Sequence, residues 1–344
     1  MTSLNQAFEK YLQRFLEELS PRSRNVIKRR FGIGAARAMT LEAIGQREGI
    51  TRERVRQIEN DAIKRLKKSP TFATLAGYEK TAIEALDKQG GIVAEDAAIG
   101  LPEFRAVSDK NLLLFFFDMC DGIKRRKADD LFHPRWHTSR VPVEKIEAAL
   151  SAFVGDLRAS KKTLSDTEAR AQLAAHLRRE CETHSSTELA DVYLALSHVI
   201  AKNSWGEIGH VESPFVRPRG MREGAFVVLS RAGEPLHFRD IASRIGDFVG
   251  RSVHVQTVHN ELIKDPRFVL VGRGLYALGQ RGYEPGFVRD VLVGMLRARG
   301  TMTRDEILDE VSRVRKVKPS TIAINLQNKK LFKALENGTY TLVS

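Results

Sequence analysis

The chain has 344 residues, enough for two to four domains that each bury a core of their own. Its 56 Lys and Arg against 43 Asp and Glu leave a net charge of +13, which favours a polyanionic partner, either nucleic acid or an anionic membrane. A membrane-spanning role is excluded, because the longest uninterrupted apolar run, Leu112 to Phe117, is six residues against the roughly 20 that a bilayer needs. The opening Met1-Thr2-Ser3-Leu4-Asn5-Gln6 has neither the basic start nor the apolar core of a secretion signal. With only two cysteines, Cys120 and Cys181, the expected compartment is a reducing cytoplasm. The charge is also unevenly placed. Residues 20–68 carry 14 basic against 5 acidic side chains and residues 217–344 carry 22 against 13, while the remainder is net acidic. This pattern predicts two basic ends for phosphate contact, joined by a middle that packs or meets protein.

Phe8, Tyr11, Leu12, Phe15 and Leu16 recur at helical spacing and predict an amphipathic helix packed on the domain that begins at Ser20. Three more helices are expected between Ser20 and Lys68. Ser20-Pro21 supplies an N-cap and first turn, Val26, Ile27 and Phe31 an apolar stripe, and Gly32 the stop. Thr40 caps a second helix that ends at Gly49, a residue able to take the left-handed conformation of a sharp turn; Thr51 caps a third that runs to Lys68. On that third helix Val55, Ile58, Ala62 and Leu66 share one face, leaving Arg52, Glu53, Arg54, Arg56 and Gln57 outside in the first two turns. A recognition helix entering the major groove presents its side chains there. Arg can bond guanine bidentately, Gln can pair with adenine, and Glu can accept from cytosine. Lys64, Arg65, Lys67 and Lys68 follow as backbone clamps, and Thr40 and Thr51 stand at helix starts where phosphates are met. An ordinary charged helix could also carry Arg-Glu-Arg, but Gly45 and Gly49 have the spacing needed for two helices to cross closely about a tight turn.

At these residues the chain resembles region 4 of primary bacterial sigma factors, the sigma-70 family. The likeness runs over Leu-Ser-Pro-Arg-Ser-Arg-Asn-Val-Ile-Lys-Arg-Arg-Phe-Gly (19–32), Met-Thr-Leu-Glu-Ala-Ile-Gly (39–45) and Ile-Thr-Arg-Glu-Arg-Val-Arg-Gln-Ile-Glu (50–59). The resemblance implies that Arg52, Glu53, Arg56 and Gln57 face a minus-35 promoter element and that RNA polymerase, through its β-subunit flap, is a partner. A full sigma factor has an aromatic-rich helical region before this domain that melts the minus-10 element. Only 19 residues precede Ser20, so melting by this chain alone is not expected.

Between Pro70 and Pro218 the sequence reads as mostly helical, broken at Gly90-Gly91 and Pro102, without a motif tied to chemistry. Cys120, His133, His137, Cys181 and His184 include ligand-like intervals, but Pro134 disfavours a regular helix presenting both histidines, and no metal is expected. Lys124-Arg125-Arg126-Lys127 reads as a solvated turn, and 203–220 as a linker anchored by Trp205.

The last 120 or so residues contain a duplication at an offset of 64. Val253, Thr257, Leu262, Phe268, Gly274, Tyr276 and Leu278 fall on Val317, Thr321, Leu326, Phe332, Gly338, Tyr340 and Leu342. Each copy reads as three helices and a hairpin, the order of a winged helix. The helices are expected over 225–231, 238–245 and 255–263, then 288–299, 304–311 and 319–327, with hairpins turning on Gly272-Arg273-Gly274 and Asn337-Gly338. Gly272-x-Gly274-x-x-Ala277 fits a dinucleotide fingerprint only superficially, since Leu275-Tyr276-Ala277-Leu278 alternates like a strand where that motif needs a helix. Residues 222–282 resemble the HARE-HTH winged helix, related to the module that begins the polymerase delta subunit and to modules of chromatin and restriction proteins. If this copy meets DNA, Gln256, His259 and Asn260 are its outward side chains and Arg267 and Arg273 reach phosphates from the wing; docking to protein is the alternative.

The expected fold is mainly α and multidomain: a helix-turn-helix (1–69), a helical middle (70–216) and two tandem winged helices with small β-hairpin wings (217–283 and 284–344). The function expected is sequence-specific binding of double-stranded promoter DNA with RNA polymerase. No catalytic residue, cofactor, metal, small-molecule substrate or membrane is expected. A DNA-recognition chain of a restriction or repair system and an architectural polymerase subunit are the alternatives.

Overall fold

A computed structural model of the chain describes residues 2–35, 37–105, 107–283, 286–315 and 317–343. They form a mainly α, multidomain protein with small antiparallel sheets. Two compact units are present, Met1–Ala159 with Asp166–Ile200, and Ser160–Ser165 with Ala201–Ser344.

The first unit opens with α1 (Thr2–Glu17), α2 (Pro21–Phe31), α3 (Leu41–Glu48), α4 (Arg52–Lys67) and α5 (Pro70–Lys88). Then come β1 (Ile92–Ala94), α6 (Glu95–Ile99), α7 (Lys110–Met119), β2 (Ile123–Arg126) and β3 (Arg135–Thr138), before α8 (Val143–Ser160), α9 (Asp166–Glu180) and α10 (Ala190–Leu194). Its largest core gathers around α7. Leu112, Leu113, Phe115, Phe116, Phe117 and Met119 are all buried there, so the apolar run is the centre of a packed core. The helix expected over the N-terminal apolar residues is α1, and its Phe8 ring packs beyond the domain that begins at Ser20, meeting Tyr78 of α5 at 4.6 Å and Phe116 of α7 at 5.0 Å. On the other side α7 meets the helix-turn-helix, where Phe31 and Phe115 stand edge to face at 4.8 Å and Asn111 donates to the Gly32 carbonyl at 2.8 Å. Expected as two separate domains, residues 1–69 and the start of the middle therefore share one hydrophobic core.

The middle also holds an element that the sequence did not reveal. From α5 to β3 the order is helix, strand, helix, helix, strand, strand, and the sheet runs β1-β3-β2, antiparallel throughout. That is winged-helix order, with α7 as the third helix. The basic run 124–127 is correspondingly no solvated turn. Lys124, Arg125 and Arg126 lie on β2, where Arg125 pairs with Glu95 at 2.8 Å and Arg126 pairs with Glu144 and Glu147. Cys120 is buried at the end of α7 with its thiol donating to the Phe116 carbonyl at 3.2 Å, and burial pushes that thiol well above its ordinary pKa. His133 stacks edge-on with His198 at 5.5 Å, and among the described residues no group of three or more His, Cys, Asp and Glu is placed to hold a metal.

The second unit contains β5 (Ile208–His210), which pairs with β4 (Ile200–Lys202), and then two further winged helices. One is α11 (Met221–Ala232), β6 (Leu236–His237), α12 (Phe238–Val249), α13 (Val255–Lys264), β7 (Phe268–Gly272) and β8 (Leu275–Leu278). The next is α14 (Val288–Arg299), β9 (Met302–Thr303), α15 (Arg304–Val314), α16 (Pro319–Leu326), β10 (Phe332–Ala334) and β11 (Thr339–Leu342). Their sheets, β6-β8-β7 and β9-β11-β10, share a register. Phe268 pairs with Leu278 as Phe332 does with Leu342, and Leu236 with Tyr276 as Met302 does with Tyr340. The duplication read at an offset of 64 is thus a duplication of strand pairing. Trp205 is held by stacking on Phe248 at 4.2 Å, with the Arg231 guanidinium 4.2 Å from its ring.

Candidate nucleic-acid interface

The helix-turn-helix is built by three caps and one close crossing. Ser20, Thr40 and Thr51 each accept a backbone N–H of the first turn they cap, at 3.3, 3.1 and 3.2 Å, satisfying donors that would otherwise have no partner. Gly49 closes α3 at φ +66°, and the Ile50 N–H donates to the Gly45 carbonyl at 3.0 Å. A Cβ on Gly45 would lie 2.7 Å from the Ile50 carbonyl oxygen, so α3 and α4 approach this closely only because position 45 has no side chain. Val26, Ile44, Val55 and Ile58 fill the space between α2, α3 and α4. Arg29 pairs with Glu48, and Arg30 with Glu59 at 3.3 Å, tying α2 to the other two helices; sequence reasoning missed both pairs, which are visible only once the helices are packed.

That scaffold leaves Arg52, Glu53, Arg54, Arg56 and Gln57 exposed on the first turns of α4. Two pairs pre-order them. Arg56 grips the Glu53 carboxylate through Nε at 2.9 Å and Nη2 at 2.6 Å, and Arg54 donates to Gln57 at 3.1 Å. The Arg56 guanidinium bonded to Glu53 holds that carboxyl below the usual carboxylate range. Each pair occupies donors and acceptors that base edges would compete for.

Comparison with known proteins places this geometry. The model of sigma-70, region 4, matches residues 15–68. Residues 15–68 are a sigma-70 region 4 helix-turn-helix. Among similar proteins are RNA polymerase sigma factor SigA of Nostoc sp., 43% identical over 67 residues, and SigA of Synechocystis sp., 48% identical over 67. RNA polymerase sigma factor RpoS of Coxiella burnetii is 43% identical over 75 residues. The matches cover 20%, 20% and 22% of this chain and 17%, 16% and 21% of those relatives. Region 4 is a DNA-binding element of transcription, and here it is a small part of a longer chain.

Beyond that exposed face, region 4 ends in a basic stretch whose members differ. Lys64, Arg65 and Lys68 are exposed, whereas Lys67 is half-buried and pairs with Asp121 at 2.6 Å. The Lys67 ammonium lowers the Asp121 pKa, and the pair joins α4 to the turn between α7 and β2.

In the first C-terminal winged helix, two of the five expected contacts need correction. His259 does not point outward: it is half-buried, stacked on Phe238 at 4.3 Å and edge-on to Tyr276 at 5.9 Å. Arg267 is not on the wing. It stands at the start of β7, where Asp265 accepts from its Nη2 at 2.7 Å and the Phe226 ring lies 5.1 Å away. Gln256 and Asn260 are exposed one helical turn apart, with Gln256 donating to Asn260 at 3.2 Å, and Arg273 is exposed at the wing turn.

Proposed function

We propose that this chain binds double-stranded promoter DNA through region 4, reading a minus-35-like element in the major groove. Arg52, Glu53, Arg54, Arg56 and Gln57 would meet base edges, while Thr40, Thr51, Lys64, Lys67 and Lys68 fix the domain on phosphates. It acts by binding and not by catalysis, in the cytoplasm, together with RNA polymerase through the β-subunit flap, in initiation or its regulation. The HARE-HTH likeness of residues 222–282 and the functional division at 1–69, 70–216, 217–283 and 284–344 belong to the same proposal. The observation that carries it is the reading face itself: five polar side chains exposed on the first turns of α4, beside a helix crossing that only Gly45 permits.

The deciding experiment is footprinting and titration of the full chain on selected promoter DNA with and without polymerase. Arg56→Ala is expected to cost about 1–3 kcal/mol on the cognate site and to relax base preference at one position. An Arg56→Ala protein with unchanged affinity and footprint overturns the proposal. Co-purification with polymerase but no direct protection of DNA overturns its DNA-reading half.

A further inference from the structure

Region 4 is not the only place where the chain builds a helix-turn-helix about two glycines four residues apart. In the second unit α12 ends through Gly246 and Gly250. Gly250 stands at φ +68°, ψ +25°, against +66° and +33° for Gly49. The Arg251 N–H donates to the Gly246 carbonyl at 3.1 Å, as Ile50 does to Gly45 at 3.0 Å. A Cβ on Gly246 would come 3.1 Å from the Arg251 carbonyl oxygen, so the same backbone close approach recurs. The other two winged helices lack it. The second helix of the last copy, Arg304–Val314, contains no glycine and ends in extended backbone at Arg315. In the first, the third helix α7 is buried in the core.

What the turn presents also differs. Val255, Gln256, Thr257 and Asn260 are exposed on α13, with Arg251 and Ser252 exposed just before it and Arg273 exposed on the wing. Neither Arg251 nor Arg273 has an acidic partner within 4.0 Å among the described residues, unlike Arg267. By contrast, Pro319–Leu326 carries no charged side chain, its Asn325 is bonded to its own helix through the Thr321 carbonyl at 2.8 Å, and Ile324 is an exposed apolar side chain on it.

We infer that residues 221–282 are a second DNA-reading head, which inserts α13 into the major groove of a site distinct from that of region 4. Two amides one turn apart can each bond an adenine at N6 and N7, and the exposed Val255 can meet a thymine methyl, so the site contains A·T pairs. Arg251 before the helix and Arg273 on the wing contact phosphates on either side of the groove. The inference does not rest on the promoter reading of region 4.

The test is selection from a random duplex library with the full chain, its Arg56→Ala variant and its Gln256→Ala/Asn260→Ala double variant. The expected result is two enriched motifs, the A·T-containing one surviving Arg56→Ala and disappearing in the double variant, with affinity for that motif falling roughly 5- to 150-fold per lost amide contact. Arg251→Ala/Arg273→Ala should lower the slope of log K against log salt on that motif by about 1.8. All four side chains are exposed, and unchanged Trp205 fluorescence checks that the module remains folded. A single motif abolished by Arg56→Ala, or an A·T motif indifferent to Gln256 and Asn260, overturns the inference. A single motif governed by Gln256 and Asn260 supports it while removing the reading of region 4.

Discussion

Replacing Gly45 by alanine tests the geometry on which the exposed polar face of α4 depends. In an ordinary helix interior this change stabilises by about 0.8–1 kcal/mol, because alanine has the better helix propensity. Here the new methyl would stand 2.7 Å from the Ile50 carbonyl oxygen, a backbone atom that cannot rotate away as a side chain could. The turn is also clamped by the 3.0 Å bond from the Ile50 N–H to the Gly45 carbonyl. Overpacking of this kind costs about 1–3 kcal/mol, and a clash with backbone belongs in the upper half of that range. Setting the propensity gain against it leaves a net destabilisation of about 1–2 kcal/mol. Gly246→Ala, where the approach is 3.1 Å, should fall within about 0.5 kcal/mol of wild type, because a smaller clash and the same gain nearly cancel. The chain's two tryptophans allow the measurement, since Trp136 is buried in the first unit and Trp205 lies in the second. Urea titration in a Trp205→Phe background follows the first unit alone. A Gly45→Ala midpoint equal to or above that of the parent would refute the close-crossing argument.

Four further outcomes are expected from particular contacts. Lys64→Ala and Lys68→Ala should each flatten the salt dependence of DNA binding by about 0.9, whereas Lys67→Ala should change it less because Asp121 already partners that ammonium; equal slopes for all three contradict this. Glu53→Gln removes the carboxylate that occupies Arg56 and should raise affinity for non-specific duplex in filter binding, an unchanged value showing that the pair does not restrain Arg56. Phe116→Ala deletes a fully buried ring between α1, α7 and the neighbouring Phe117, and should cost about 3–5 kcal/mol in urea titration; a loss below about 1 kcal/mol would mean that α7 is not the hub. Hydrogen bonding from Arg267 depresses the Asp265 pKa, so its stabilisation is present above the ordinary carboxylate value of about 3.9 and lost as pH falls through and below it. Trp205-monitored stability should therefore drop in that acid window, and the drop should shrink in Asp265→Asn.

Legibility in the sequence tracked how local the determining physics is. Caps and stops at Ser20, Gly32, Thr40, Gly49 and Thr51 act within a few residues, and each stands where its chemistry demanded. The C-terminal copies were legible because paired hairpin positions such as Phe268 and Leu278 recur as Phe332 and Leu342. Residues 70–138 carry no such signals. The third helix there is covered on several sides and shows no amphipathic period, the second helix is reduced to Glu95–Ile99, and the hairpin spans 127–134 without a tight-turn glycine. His259 and Arg267 were misplaced for a related reason. Their partners, Phe238 for one and Asp265 with Phe226 for the other, are chosen by packing between elements, which helical spacing does not encode.

The three winged helices show what divides scaffold from function in this chain. All share element order and a sheet with its last strand in the centre, so hydrogen bonding and core pattern do not distinguish them. Their third helices do. An apolar surface on α7 makes that module a packing centre: an exposed helix with six large apolar side chains would be insoluble, and a buried one cannot enter a groove. Amides and an open approach on α13 leave polar groups whose hydrogen bonds only solvent or a ligand can complete. On α16 the exposed surface offers the hydroxyls of Ser320 and Thr321 beside Pro319 and Ile324, with no exposed amide or guanidinium to bond one base edge bidentately. Arg315, which comes directly after the second helix of that copy, is turned inward and donates to the carbonyls of Leu270 at 3.1 Å and Gly286 at 2.8 Å. In region 4 the corresponding turn belongs to Gly49 and leads straight to the exposed polar face of α4; in the last copy it serves to hold two modules together.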